Sequence, residues 1–187
     1  MVKVIIAPGN GCTNIRRSNW YGWLASELEK LSVTVVCENF PDPINARREI
    51  WIPHIKSLCD GAEEETILVG HSSGAQAAMR FAEENRLLAV VLVSATFSDL
   101  GDANERASNY YPTPDGQNAY KFTKMRENVA TWHQLHSDND PFIPISEAKQ
   151  IREGLGLDDS AFHYLPKRSH FFDPPFHELL DLIVSMA

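Results

Sequence analysis

The pentad Gly70-His71-Ser72-Ser73-Gly74 is the sharpest chemical signal in the chain. A serine with glycine two residues away on each side suits a turn too tight for side chains at those positions. Such a turn leaves the central hydroxyl standing clear as a nucleophile. Alone, the pattern arises by chance in roughly one chain in twenty of this length. Its surroundings sharpen it, because the apolar run 66–69 enters Gly70 and a helix of small residues over 73–84 leaves it. Strand, turn and helix in that order are what the nucleophile elbow requires, and the N-terminal dipole of the helix then starts beside Ser72.

A serine hydroxyl is a weak nucleophile until a base takes its proton, and the base needs an orienting carboxylate. On this kind of scaffold the chain order is Ser, acid, His, each in a loop after a strand. Of the seven histidines, His54 and His177 fall in helical stretches and His133, His136 and His163 in strands. His71 lies in the elbow, pointing away from the nucleophile. That leaves His170, in the loop before the last helix, as the base. For the acid, Asp140 and Asp138 both lie in the loop after the fifth strand. Asp140 is preferred because it closes the loop before Pro141, with Asp138 as the alternative.

An oxyanion hole needs backbone N–H groups, one of them from the residue after the nucleophile, here Ser73. The second is expected from Asn10 or Gly11 in the loop Pro8-Gly9-Asn10-Gly11, which also reads as a simple turn. A dinucleotide loop is disfavoured there, since no third glycine follows at the required spacing. Tyr110, Tyr111 and Trp20 are expected to border a substrate pocket, with core packing as the alternative for Trp20. The group His136, Asp138 and Asp140 reads as turn chemistry rather than a metal site, and no cofactor is expected.

The elements that must position these groups follow from periodicity. Strands are predicted over 2–7, 33–37, 66–69, 89–93, 129–136 and 161–165, and helices over 20–31, 73–84 and 146–155, with a last one after Pro174-Pro175. Asn45 is the expected cap of a further helix that Pro53 kinks or divides. Residues 97–118 are the least regular stretch and are expected to form at most a small lid. Strands alternating with helices imply a mostly parallel sheet of about six strands with helices on both faces. A single α/β domain over 1–187 without a large cap is therefore expected. Ligands bind such sheets at the carboxyl edge.

Composition narrows the function classes. The chain has 187 residues, 43% of them hydrophobic, so it can bury a core without disulfides or metals. Seventeen basic against 25 acidic residues give a net charge of −8, which argues against nucleic acid and against an anionic membrane surface. Three cysteines without C-x-x-C spacing read as reduced, buried thiols, and a cytoplasmic location is expected.

Several segments together resemble the retinoblastoma-binding protein 9 family of small α/β serine hydrolases. They are Pro8-Gly9-Asn10-Gly11, Trp20-Tyr21-Gly22-Trp23, Pro41-Asp42-Pro43-Ile44, the Ser72 pentad, Ser98-Asp99-Leu100-Gly101-Asp102, Asn104-Glu105-Arg106-Ala107-Ser108 and Asp140-Pro141-Phe142 with His170. The resemblance implies an α/β-hydrolase fold with Ser72 as nucleophile, Asp140 as acid and His170 as base. The partner in the family's name is associated with a Leu-x-Cys-x-Glu segment. Here Ser57-Leu58-Cys59-Asp60-Gly61 has Leu beside Cys and no Glu two residues on, so binding of the retinoblastoma protein is not carried over. The expected activity is hydrolysis of a small ester, thioester or amide through an acyl-enzyme. The rival is a non-catalytic or dual-role protein-binding adaptor on the same scaffold.

Overall fold

A computed structural model describes residues 2–187. Its frame is one six-stranded sheet, all parallel, in the order β2-β1-β3-β4-β5-β6. The strands are β1 (Lys3–Ala7), β2 (Thr34–Val36), β3 (Thr66–His71), β4 (Leu87–Val93), β5 (Val129–Ser137) and β6 (Phe162–Leu165). Every residue of β3 is buried, and β4 is buried apart from Leu88. Both faces of these central strands are covered, which explains their unbroken apolar sequence.

On one face, α1 (Tyr21–Lys30) and α7 (His177–Met186) bury Leu24, Leu28, Leu179 and Ile183 against Val91 and Val93 of β4. On the other, α2 (Arg48–Cys59), α3 (Ser73–Ala82), α5 (Phe122–Asn128) and α6 (Ile145–Leu155) bury Trp51, Phe81, Met125 and Ile151 around Val90 and Leu92. A short α4 (Ala103–Ala107) completes the set, and no cap domain stands over the sheet. Among the described residues, no helix is long and apolar enough to cross a membrane.

Strand order reverses between β1 and β3, and a crevice opens at such a reversal. Register sets Ala7 beside Gly70 and His71 beside Val93, so the ends of β1, β3 and β4 meet at this crevice.

Three expectations change. Asn45 does not cap a helix, because its side chain donates to Asp42 Oδ1 at 2.9 Å in a turn, and α2 starts three residues later behind Arg47. Pro53 does not divide α2, which runs unbroken through it from Arg48 to Cys59. The irregular stretch contains α4 and is followed by α5, both too short for periodicity to register.

Residues 109–119 carry no regular structure, and Arg80 of α3 anchors them. Its buried guanidinium donates to the Tyr110 carbonyl at 2.7 Å, the Asn118 carbonyl at 2.6 Å and the Ala119 carbonyl at 3.2 Å. It also pairs with buried Glu83 at 2.5 Å. Removing the guanidinium takes the donor from three carbonyls and leaves buried Glu83 with only the Lys121 N–H at 3.1 Å and the partly exposed Arg48 at 3.6 Å. Arg80→Ala is therefore predicted to lower stability by about 3–5 kcal/mol, read as a urea unfolding midpoint. A loss below about 1 kcal/mol would show that the anchor is dispensable.

Candidate active site

The elbow at the end of β3 is shaped by steric exclusion. A Cβ at Gly74 would be driven into the backbone of Ala7 and Pro8, and one at Gly70 into that of Gly74 and Ala75. With both absent, the first turn of α3 closes onto β1 and β3. Ser72 is then left at φ 55°, ψ −121°, a conformation that L-residues rarely adopt and that costs on the order of 1–3 kcal/mol. Ser72, His170 and the loop after β1 all line one cavity of about 730 Å³ at the carboxyl edge of the sheet.

The loops after β5 and β6 are stitched together residue by residue. Side chains of Ser137, Asp138 and Asn139 accept the N–H groups of Arg168, Lys167 and Ser169 at 2.9, 2.8 and 2.8 Å. Asp140 then receives His170 Nδ1–H on Oδ2 at 2.8 Å. Of the two carboxylates in the loop, only Asp140 reaches His170, because Asp138 is occupied with the backbone of the histidine loop. Asp140 Oδ2 also accepts the Ser94 hydroxyl at 2.8 Å, and Oδ1 accepts the N–H groups of Phe142 and Ile143 at 2.9 and 3.1 Å. Burial pushes this carboxyl up. The hydrogen bond and charge of His170, helped by the Phe142 N–H and the Ser94 hydroxyl, more than offset it and hold the group at about 2. With Nδ1–H committed to Asp140, the neutral imidazole keeps its Nε2 lone pair for a proton.

A second chain runs beneath the elbow. His71 is fully buried, and burial, then the nearby charge of His170, push it down to about 3, so it stays neutral. Its Nε2 lies 2.9 Å from the His170 carbonyl, which can only accept, so Nε2 carries the ring proton. His71 Nδ1 must then accept the Tyr21 hydroxyl at 2.5 Å. That hydroxyl in turn accepts the Gly9 N–H at 3.0 Å and Asn19 Nδ2 at 3.1 Å. One phenol thus links the loop after β1, through the elbow histidine, to the backbone of His170.

The oxyanion candidates separate. Ser73 heads α3, where its N–H has no intrahelical acceptor. Gly11 is ruled out as the second donor, since its N–H is given to the Pro43 carbonyl at 2.6 Å. The Asn10 N–H has no acceptor among the described residues. The Asn10 side chain donates to Glu105 Oε1 at 3.1 Å, and Tyr111 donates to Glu105 Oε2 at 2.6 Å.

Among the expected pocket residues, Tyr111 lines the cavity, whereas Tyr110 and Trp20 do not. Tyr110 is fully buried, with its carbonyl tied to Arg80. Trp20 packs edge-on to Tyr21 and Phe176 in the core beneath the elbow. A helical stripe does not distinguish the indole from the phenol beside it, and Tyr21 is the member of the pair that meets the cavity. A further participant is Glu147 of α6. Its Oε2 accepts Thr96 Oγ1, the Phe97 and Ser98 N–H groups and Ser98 Oγ at 2.7–3.0 Å, holding two cavity-lining residues in place.

Comparison with known proteins agrees with this architecture. The Rattus norvegicus protein named Serine hydrolase RBBP9 is 41% identical over a 187-residue alignment, covering 98% of this chain and 95% of the relative. The putative hydrolase YdeN of Bacillus subtilis is 26% identical over 160 residues, 83% of this chain and 80% of the relative. The crystal structure of the B. subtilis ydeN gene product superposes with a TM-score of 0.84 at 23% identity, covering 100% of this chain and 98% of the other. A monoacylglycerol lipase from Paleococcus ferrophilus does so at 0.69 and 17%, covering 99% and 95%. Those structural likenesses establish the α/β-hydrolase fold. A sequence model of the serine hydrolase family matches residues 4–177, and with the rat relative it shows that the chain belongs to the serine hydrolase family.

Proposed function

We propose that the chain cleaves a small ester, thioester or amide through an acyl-enzyme on Ser72, with His170 as base and Asp140 as its orienting acid. The observation that carries this reading is the 2.8 Å pair of His170 Nδ1 and Asp140 Oδ2 opening on the same cavity as the strained Ser72. His170 Nε2 takes the Ser72 proton as Oγ attacks the acyl carbon, and the imidazolium is steadied by Asp140. The tetrahedral oxyanion is received by the N–H groups of Ser73 and Asn10. Collapse expels the leaving group, which takes the proton back from His170. Water, deprotonated by the same imidazole, then attacks the acyl carbon, and as the bond to Oγ breaks His170 gives the proton to Oγ, which releases the acid and restores Ser72.

Ser72→Ala is predicted to cut turnover by about 10⁴-fold or more while leaving the unfolding midpoint unchanged or higher. A fluorophosphonate probe should label folded wild type, but neither that variant nor heat-denatured protein. Folded wild type that takes no label would overturn the hydrolytic reading and favour the adaptor.

Asp140 is held at about 2 and His71 at about 3, so neither changes charge above roughly pH 4.5. General-base catalysis requires a neutral imidazole, so the rate drops on acidification. The plot of log kcat/KM against pH should fall with a slope of one on acidification, and a slope of two would contradict the assignment.

His71 is a positioning residue. His71→Ala, which releases the His170 carbonyl and the Tyr21 hydroxyl together, should lower kcat by about 10–100-fold with little change in KM. His71→Gln, with an amide N–H to offer the carbonyl, should recover most of that loss. Equal defects in both variants, or a defect confined to KM, would remove the positioning role.

A further inference from the structure

The cavity wall around His170 differs in kind from the rest. Phe142 and Phe172, from the two loops that carry the acid and the base, leave 59% and 41% of their surfaces in solvent and both line the cavity. Their ring centroids lie 5.2 and 5.4 Å from that of the His170 imidazole and 6.0 Å from one another. Phe142 is held by its own N–H on Asp140 Oδ1, so this ring stands on a fixed backbone. Away from His170 the wall is mixed, with polar Asn10, Ser98, Asp99, Asp102, Asn104 and Glu105 beside Leu100 and Tyr111.

Resting on the hydrolytic reading above, we propose that Phe142 and Phe172 form the leaving-group subsite and that it selects a flat, apolar alcohol or thiol. The argument comes from proton bookkeeping. In acylation a bond forms between Ser72 Oγ and the acyl carbon while the bond from that carbon to the departing oxygen or sulfur breaks. The proton that His170 took from Ser72 passes to the departing atom, so that atom must lie within hydrogen-bond reach of His170 Nε2. Whatever is attached to it then lies against the side chains that flank the imidazole, and these are the two exposed rings. Aromatic pairs settle edge-to-face or offset at centroid separations of about 4.5–7 Å, and the space beside two rings 6.0 Å apart suits a planar apolar group. Two large apolar side chains left in water beside the reacting centre are accounted for once such a group covers them.

The test uses three acetate esters whose alcohols have similar acidity: 2-naphthylmethyl, benzyl and 2-methoxyethyl acetate. Wild type is expected to favour the naphthylmethyl over the methoxyethyl ester by at least about tenfold in kcat/KM. In the double variant Phe142→Ala with Phe172→Ala this ratio should collapse towards one. A fluorophosphonate, whose leaving fluoride is too small to reach the rings, reads Ser72 separately. Failure of the wild type to label overturns the hydrolytic reading, and the subsite with it. A labelled wild type that turns over all three esters equally, or none, overturns the subsite alone. So does a parallel fall on all three esters in the double variant, which would assign the rings to supporting the imidazolium instead.

Discussion

The site depends on how closely the first turn of α3 approaches β1 and β3. That approach exists only because positions 70 and 74 carry no Cβ, since either would collide with main-chain atoms that have nowhere to retreat. Once the helix is seated, Ser72 has no relaxed conformation available and is held in an unusual one by its surroundings. The strain persists because β3 and β4 are buried on both faces, so the scaffold that imposes it cannot easily yield.

Around this fixed point the loops are held by polar contacts added to the apolar anchor that Phe171 makes on Phe176. Four consecutive acceptors at 137–140 hold the histidine loop, and Tyr21 and His71 tie its main chain to the elbow and to the loop after β1. Each bond contributes on the order of 1 kcal/mol, so their joint value is geometric. For the proposed mechanism they hold the imidazole, its carboxylate and the N–H groups in place before a substrate arrives, as electrostatic preorganisation requires. The neutral state of His71 matters here, since a second imidazolium 4.9 Å from His170 would oppose the positive charge that the proposed mechanism places there.

Much of this arrangement can be read from the residues in order. Parallel strands carry long apolar runs, and the elbow has a glycine on either side because the turn tolerates nothing else, so the sheet and Ser72 are both visible locally. Asp140 and His170 are legible through their place after strands. What escaped depends on contacts far apart in the chain or on which way a side chain points. Tyr110 and Tyr111 are neighbours buried in the same core, yet only Tyr111 reaches the cavity, with its hydroxyl on Glu105. Trp20 and Tyr21 pose the same problem at the start of α1. Glu147 reaches Thr96–Ser98 across about fifty residues, and nothing near it in sequence marks it. Gly11 looked suitable as a donor until Pro43, thirty-two positions on, took its N–H. The run Ser137-Asp138-Asn139-Asp140 was the one signal present and unread, since four short acceptors in a row suit the capture of main-chain donors as well as a turn.

The Arg80 anchor has a consequence for how such a protein diverges. The guanidinium grips the strap at 109–119 by carbonyl oxygens, which every amino acid supplies, and takes no side chain from it. Recognition of this kind is indifferent to sequence. Tyr111, which faces the cavity from this strap, takes no part in that hold and is fixed separately, by its burial in the core and by its hydroxyl on Glu105. Mutational drift can therefore rewrite the exposed positions 113–117 while the course of the strap over the molecule is conserved, whereas a change at Tyr111 must replace both of its own contacts.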